Sequence, residues 1–156
     1  MDPSSAELHL NPSNSLTTHR EGMPPEHYTQ IVLSERPIAD ITPTTFLIEK
    51  VPFNLKPGLG EILVQVDWLS LDPVMRNWIK DIRTYTTPVQ IGEVMRAVGL
   101  ATVVEVGEGS KLRSGDLVYC MPGESPQHQR TFGNCAYGEG WTEFAVLKEA
   151  SAKQLE

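Results

Sequence analysis

Proline and glycine break this chain before a long helix can grow. Twelve of each fall within 156 residues, and proline exceeds its average usage of about 5%. Proline fixes φ and removes a backbone donor, and glycine costs entropy in a regular element, so both interrupt helices. The runs between the breaks are short and rich in β-branched and aromatic residues. Residues 28–33 (YTQIVL) read as a strand stopped at Arg36-Pro37, and residues 44–51 (TTFLIEKV) as a second, ended by Pro52. Lys56 to Glu61 is turn chemistry. In residues 61–71, Ile62, Val64, Val66 and Trp68 alternate with Leu63, Gln65, Asp67 and Leu69. Apolar residues on nearly both faces predict a central strand. Further strands are expected at 98–106 (VGLATVVEV), 117–121 and 140–147. The last of these is followed by helix-forming residues at 148–156 that break off. Many short strands joined by Gly/Pro turns predict a mainly β fold, a partly open β-barrel with short helices.

The central strand runs into an unusual corner, WLSLDPVMRNWI at residues 68–79. Asp72 suits an N-cap, because its carboxylate can accept free N–H groups of a first helical turn. Pro73 suits the first helical position, where its missing N–H is not needed. Residues 74–78 are then expected to be a short helix. An Arg, a Met and two Trp around a strand-to-helix turn make either a packed core corner or the wall of a pocket. Trp68, Trp78 and Trp141 are read as core, since large aromatics dominate core burial.

Several functions are disfavoured by composition and motif. The net charge of −7 argues against nucleic acid, whose phosphates need a basic face, and against an anionic membrane surface. No apolar run approaches the roughly 20 residues of a membrane span. Residues 1–27 are polar, lack a secretory h-region and read as a disordered arm, leaving one domain at 28–156. The reading that follows is a cytoplasmic protein with reduced thiols. Cys120 and Cys135 are too few for a disulfide scaffold. The arm's His9, His19 and His27 are irregularly spaced with no cysteine near, so no metal site is expected. Gly107-Glu108-Gly109 follows a strand, but Leu112 replaces the third glycine and a second turn at Ser114-Gly115-Asp116 replaces the helix. A phosphate site needs that helix N-terminus, so this is a β-turn. There is no Gly-x-Ser-x-Gly, and His128 in the polar loop 122–138 has no matched nucleophile. No catalytic residue is assigned.

Residues 70–76 (SLDPVMR) resemble the S-x-D-P-Y-M-R signature of zinc-free medium-chain reductases, and most of all the alkenal double-bond and prostaglandin (leukotriene B4) reductases. Three further segments match in order: 55–61 with the strand after it, 91–97 (IGEVMRA) and 140–144 (GWTEF). The turn after residues 103–106 is also similar. The resemblance covers the chain from about Tyr28 onward and implies the GroES-like N-terminal lobe of such an enzyme. It implies NADPH as cofactor, no metal, and reduction of the C=C bond of a small hydrophobic α,β-unsaturated carbonyl. The family's nucleotide-binding Rossmann lobe has no counterpart within the 156 residues, so this chain alone is expected not to transfer hydride. The alternative is a non-catalytic remnant or an accessory small-molecule-binding protein. Either way a homo-oligomer or partner chain is expected over the exposed inter-lobe face.

The resemblance also implies a substrate pocket at Asp72, Pro73, Val74, Met75 and Arg76, with Tyr85 and Met95 as further candidates. The family's substrate-contacting tyrosine is replaced by Val74, which has no hydroxyl to donate. Arg76 has two readings: electrostatic help at the cleft, or a buried ion pair with Glu93 or Asp72, of which the ion pair is preferred.

Overall fold

A computed structural model describes residues 25–82, 87–120 and 140–155. The arm at 1–24, Tyr85, the loop 122–138 and its His128 and Cys135 lie outside the described residues. Among the described residues, seven strands and one short α-helix follow in the order β1 (His27–Leu33), β2 (Phe46–Pro52), β3 (Glu61–Ser70), α1 (Met75–Trp78), β4 (Val98–Val106), β5 (Leu117–Cys120), β6 (Phe144–Lys148) and β7 (Ala152–Gln154). β1 and β2 form an antiparallel pair, and the other five form an antiparallel sheet in the order β6-β3-β4-β5-β7. The sheets do not close on each other. This is the mainly β, GroES-like architecture.

The two sheets are stitched together by single bridges from β1, Gln30 to Thr142 and Val32 to Val94. At their centre three segments share a closed ring of main-chain bonds. Ile31 N–H donates to Trp141 O at 2.7 Å, Trp141 N–H to Met95 O at 2.7 Å, and Met95 N–H to Ile31 O at 2.9 Å. Gly140 permits this approach. A Cβ there would lie 2.2 Å from Ala97 N and 2.4 Å from Met95 O, well inside van der Waals contact with rigid backbone.

β3 is central for half its length. Ile62 and Val64 enter one core cluster with Val103, Val118 and Leu147, while Leu63 enters another with Tyr28 and Phe144. Tyr28, Phe53 and Phe144 meet edge to face in that second cluster, with centroids 5.1–6.3 Å apart. β6 pairs only with Glu61–Gln65 of β3. Against β4, register irregularities at Leu63/Val64, within that stretch, and at Val66/Trp68, beyond it, break the simple alternation. Trp68 therefore ends up 73% exposed, not in the core as expected.

Other boundaries shift for local reasons. β2 starts at Phe46 because Thr45 is held in a turn, its Oγ1 accepting from Thr42 N–H at 3.1 Å. His27, assigned to the arm by sequence, opens β1 opposite Pro52. Residues 140–143 bond to β1 and the 93–97 segment, so β6 begins only at Phe144. The terminal stretch forms a 3-10 turn (Glu149–Ser151) and then β7, which pairs with β5. Its sequence favours helix, but the open edge of β5 offers unpaired backbone groups to a strand.

Replacing Gly140 with Ala should destabilise the chain by about 2 kcal/mol or more, because the new methyl meets main-chain atoms that cannot give way. Equilibrium urea unfolding measures this. An unchanged midpoint would show that the three-segment junction is not tightly packed.

Candidate functional site

The corner after β3 is built by two hydrogen bonds from one residue. Asp72 Oδ1 accepts from Val74 N–H at 2.8 Å, and Asp72 O accepts from Met75 N–H at 3.0 Å. The carboxylate thus satisfies a free donor as expected, but of the turn that leads into α1 and not of the helix itself, which begins at Met75. A four-residue helix cannot persist on its own. It is held by burial of Met75 and Ile79 against Leu33, Val89, Met95 and Ala97. Trp78 O accepts from Val89 N–H at 2.8 Å, which pins the helix end to the chain returning from its loop.

Two arginines clasp the helix to the loop between β1 and β2 from opposite sides. Arg36 of the loop donates through Nη1 to Ile79 O at 3.0 Å, and its Nη2 lies 3.9 Å from the Asp81 carboxylate. Arg76 of the helix donates through Nη2 to Ala39 O and, at 3.4 Å, to Pro37 O. The expected Arg76 ion pair is absent among the described residues. Glu93 Oε2 instead accepts from Gln90 N–H at 2.8 Å, and Asp72 is engaged with Val74. Both carboxylates close their own local turns, which leaves Arg76 with main-chain carbonyls.

Between loop, corner and junction lies an apolar cavity of about 370 Å³. Asp72, Pro73, Met75, Arg76 and Met95 all line it, together with Ile41, Phe46, Leu71, Ile79 and Trp141. Val74 is half-buried and is not among the lining residues. Met95 is 1% exposed and arrives through its main-chain bonds to Ile31 and Trp141. Trp141 was read from sequence as core. Its ring does pack on Phe46, with centroids 5.0 Å apart, yet it also lines the cavity. Arg76 Nη1 and Trp141 Nε1 are buried without a hydrogen-bond partner. Sequence spacing gave no sign of Ile41 or Phe46, which the loop and β2 bring in from a distant part of the chain. A second, wider hollow of about 580 Å³ lies along the exposed half of β3, and Trp141 and Leu71 border both.

Among the described residues, no group of three or more His, Cys, Asp or Glu is placed to hold a metal ion. The turn at Gly107-Glu108-Gly109 is packed shut: a Cβ on Gly107 would lie 1.7 Å from Gly58 O, and Gly109 adopts φ +82°. No helix follows it, so these residues do not fit the phosphates of a dinucleotide. No helix among the described residues is long and apolar enough to cross a membrane. Cys120 sits at the end of β5, 1% exposed, in the cluster with Val118 and Ala145. Burial pushes its thiol up from 9.0 to about 11, so it is a packed side chain and not a nucleophile near neutral pH.

Comparison with known proteins gives a consistent picture. The family model describing the N-terminal domain of oxidoreductases matches residues 29–131. NADPH-dependent curcumin reductase of Escherichia coli (strain K12) is 38% identical over 87 residues, covering 56% of this chain and 25% of the relative. A mitochondrial enoyl-[acyl-carrier-protein] reductase of Caenorhabditis elegans is 28% identical over 111 residues, covering 70% of this chain and 27% of the relative. Among solved structures, CurA from Vibrio vulnificus in complex with NADPH superposes with a TM-score of 0.64 at 26% identity, covering 81% of this chain and 32% of CurA. The chain thus spans about a quarter to a third of the length of these proteins.

The buried thiol makes alkaline stability testable. The folded chain holds the Cys120 proton more tightly than the unfolded chain. Its contribution is therefore intact below pH about 9 and is lost as pH rises to about 11. The stability difference between the wild type and Cys120→Ala should shrink by about 2–3 kcal/mol across that window. Urea unfolding of both at a series of pH values measures it, and a constant difference would contradict the burial.

Proposed function

The chain belongs to the family of oxidoreductase N-terminal domains, as the GroES-like lobe of NADP-dependent medium-chain reductases, and from that membership we propose that it forms the substrate side of an NADPH-dependent reductase of α,β-unsaturated carbonyls. The observation that carries this reading is the convergence of two sequence motifs on one cavity. Asp72, Pro73, Met75 and Arg76 come from the corner and Met95 from residues 91–97, and all line the same apolar space. Its volume of about 370 Å³ lies in the range of roughly 300–1,000 Å³ usual for small-molecule sites. An apolar wall with few polar groups suits a small hydrophobic enone. Relatives named as curcumin reductase and NADPH complex support the cofactor and the substrate class.

In this reading the lobe occupies residues 28–156 and follows an arm at 1–27, and the protein works in the cytoplasm. Val74 shapes the corner without supplying a hydroxyl. Tyr85, a further candidate by the resemblance, lies outside the described residues. The cofactor's phosphates are held by chain outside the described residues, since no βαβ unit occurs among them. Residues 1–156 by themselves therefore bind substrate but do not turn it over. The exposed apolar half of β3, with Trp68 and Leu69, and Leu71 just beyond it, is where a second lobe, a partner chain or another copy would sit.

The alternative is a non-catalytic binding protein. Titrating purified 1–156 with NADPH, followed by fluorescence and by heat of binding with and without an enone, separates the two. The proposed reading expects saturable enone binding and no saturable NADPH binding. Saturable NADPH binding would place cofactor recognition within this lobe and overturn the division of labour. Absence of enone binding would favour the non-catalytic alternative.

A further inference from the structure

Two apolar spaces meet at two side chains. The cavity of about 370 Å³ and the hollow of about 580 Å³ share Leu71 and Trp141 as lining residues. Trp141 is fixed by its main-chain bonds to Ile31 and Met95. Leu71 lies just past β3 and is 76% exposed, so a flexible aliphatic side chain stands at the boundary. The hollow exists because β6 stops short. Its pairing with β3 ends at Gln65, with one further bond from Val66 N–H to Glu143 O at 2.9 Å. Trp68 and Leu69 go on pairing with β4, opposite Leu100 and Gly99. Gly99 seats that stretch closely, since a Cβ there would lie 2.5 Å from Trp68 O. The exposed indole of Trp68 thus stands on backbone that is held in place. The polar groups of the hollow are already answered. Glu143 Oε2 accepts from Thr29 N–H at 2.6 Å, Asp67 Oδ2 accepts from Thr102 Oγ1 at 2.7 Å, and Thr142 Oγ1 donates to Phe144 O at 3.0 Å. Its ionisable lining residues, Asp67 and Glu143, are both acidic, and no Lys or Arg lines it.

We propose that the hollow is the second half of the binding site and takes the distal arm of a long, neutral enone. The reactive head lies in the cavity, and the arm crosses Leu71 to lie on Trp68. The proposal rests on the enone reading above and names its substrate class. At the roughly 30 Å³ that a water takes up in the liquid, the cavity holds about 12 non-hydrogen atoms. A larger enone cannot be contained there alone, and the hollow is the apolar space that continues it. Each methylene moved from water onto Trp68 and Leu69 adds affinity in proportion to the area it covers. A carboxylate at the far end of the arm would instead approach Asp67 and Glu143, with no cation in the hollow to offset the repulsion. The far end of the substrate is therefore uncharged.

The test is equilibrium dialysis of the chain 1–156 against 3-octen-2-one, 3-decen-2-one, 3-dodecen-2-one and 3-tetradecen-2-one, each below its solubility limit. Affinity should rise by about two- to fourfold per methylene through the whole series, past the size that fills the cavity. Trp68→Ala removes an exposed side chain and should cut the tetradecenone-to-octenone affinity ratio by roughly threefold or more. Tyr119→Ala removes an exposed ring that lines neither space, and should leave the ratio as it is. 14-Oxo-12-pentadecenoic acid should bind roughly tenfold more weakly than its methyl ester, and Asp67→Asn should narrow that gap. Affinity that stops rising beyond 3-decen-2-one would overturn the proposal. So would a ratio that falls equally with Tyr119→Ala, or an acid-to-ester gap unmoved by Asp67→Asn. The substrate-lobe reading would survive each of these results as long as the short enones bind. Failure of every enone to bind would overturn both.

Discussion

Residues 31, 95 and 141 hold one another in a closed ring of main-chain hydrogen bonds, and the site exists because of it. With the bonds from Glu143 N–H to Thr29 O and from Leu33 N–H to Glu93 O, it ties the main chain of β1 to the segments at 92–97 and 140–143. The ring demands glycine at 140, because any Cβ there would overlap the backbone of residues 95–97. In return it fixes two side chains that the candidate site depends on. Met95 and Trp141 project from backbone that cannot shift without breaking the bridge between sheets. Such rigidity allows a cavity to stay open beside a packed core, since the neighbouring segments cannot simply collapse into it.

The second support is the pair of arginines. Arg36 reaches from the β1-β2 loop to the carbonyl that ends α1, and Arg76 reaches from α1 back to the loop. A cation at a helix C-terminus is favourable in itself. The reciprocal arrangement also joins two elements that are too short to be stable separately. Helix α1 has four residues, and the loop exposes Ile38 and Ile41. Together they make one wall of the cavity, and Phe46 of β2 with Met95 and Trp141 of the junction makes the other. The apolar lining gives such a space its affinity for carbon chains, and its few N–H groups give it orientation.

β3 shows how one strand can serve two purposes. Its first half is buried on both faces and knits two core clusters together. Its second half leaves the cover of β6, passes an irregular register and carries Trp68 and Leu69 to the surface, with Leu71 exposed just past its end. The change happens next to the cavity, whose edge Leu71 also forms. Core and candidate site are thus two ends of one element.

Much of this was legible in the residues. Gly/Pro punctuation and β-branched runs determined the strands, because those preferences are local and need no partner. The Asp72-Pro73 corner was legible for the same reason, since the Asp72 carboxylate and the Val74 N–H that it accepts from are neighbours in sequence. Family motifs then pointed to residues 72–76 and Met95, and all of these but Val74 line the cavity. Contacts between distant segments were not legible. Whether Trp68 faces the core depends on where β6 stops, and whether residues 152–154 form a strand depends on the free edge of β5. Arg76 could be assigned a carboxylate from composition, but only the folded chain shows Glu93 and Asp72 already occupied by local N–H groups. Ile41, Phe46 and Trp141 come to one cavity through pairing across more than a hundred positions. The sequence by itself determined the kind of elements and the chemistry of the corner, because both arise from short-range backbone preference. Tertiary structure alone decided which donors were left without acceptors, because satisfaction of a hydrogen bond is a property of the whole packed neighbourhood.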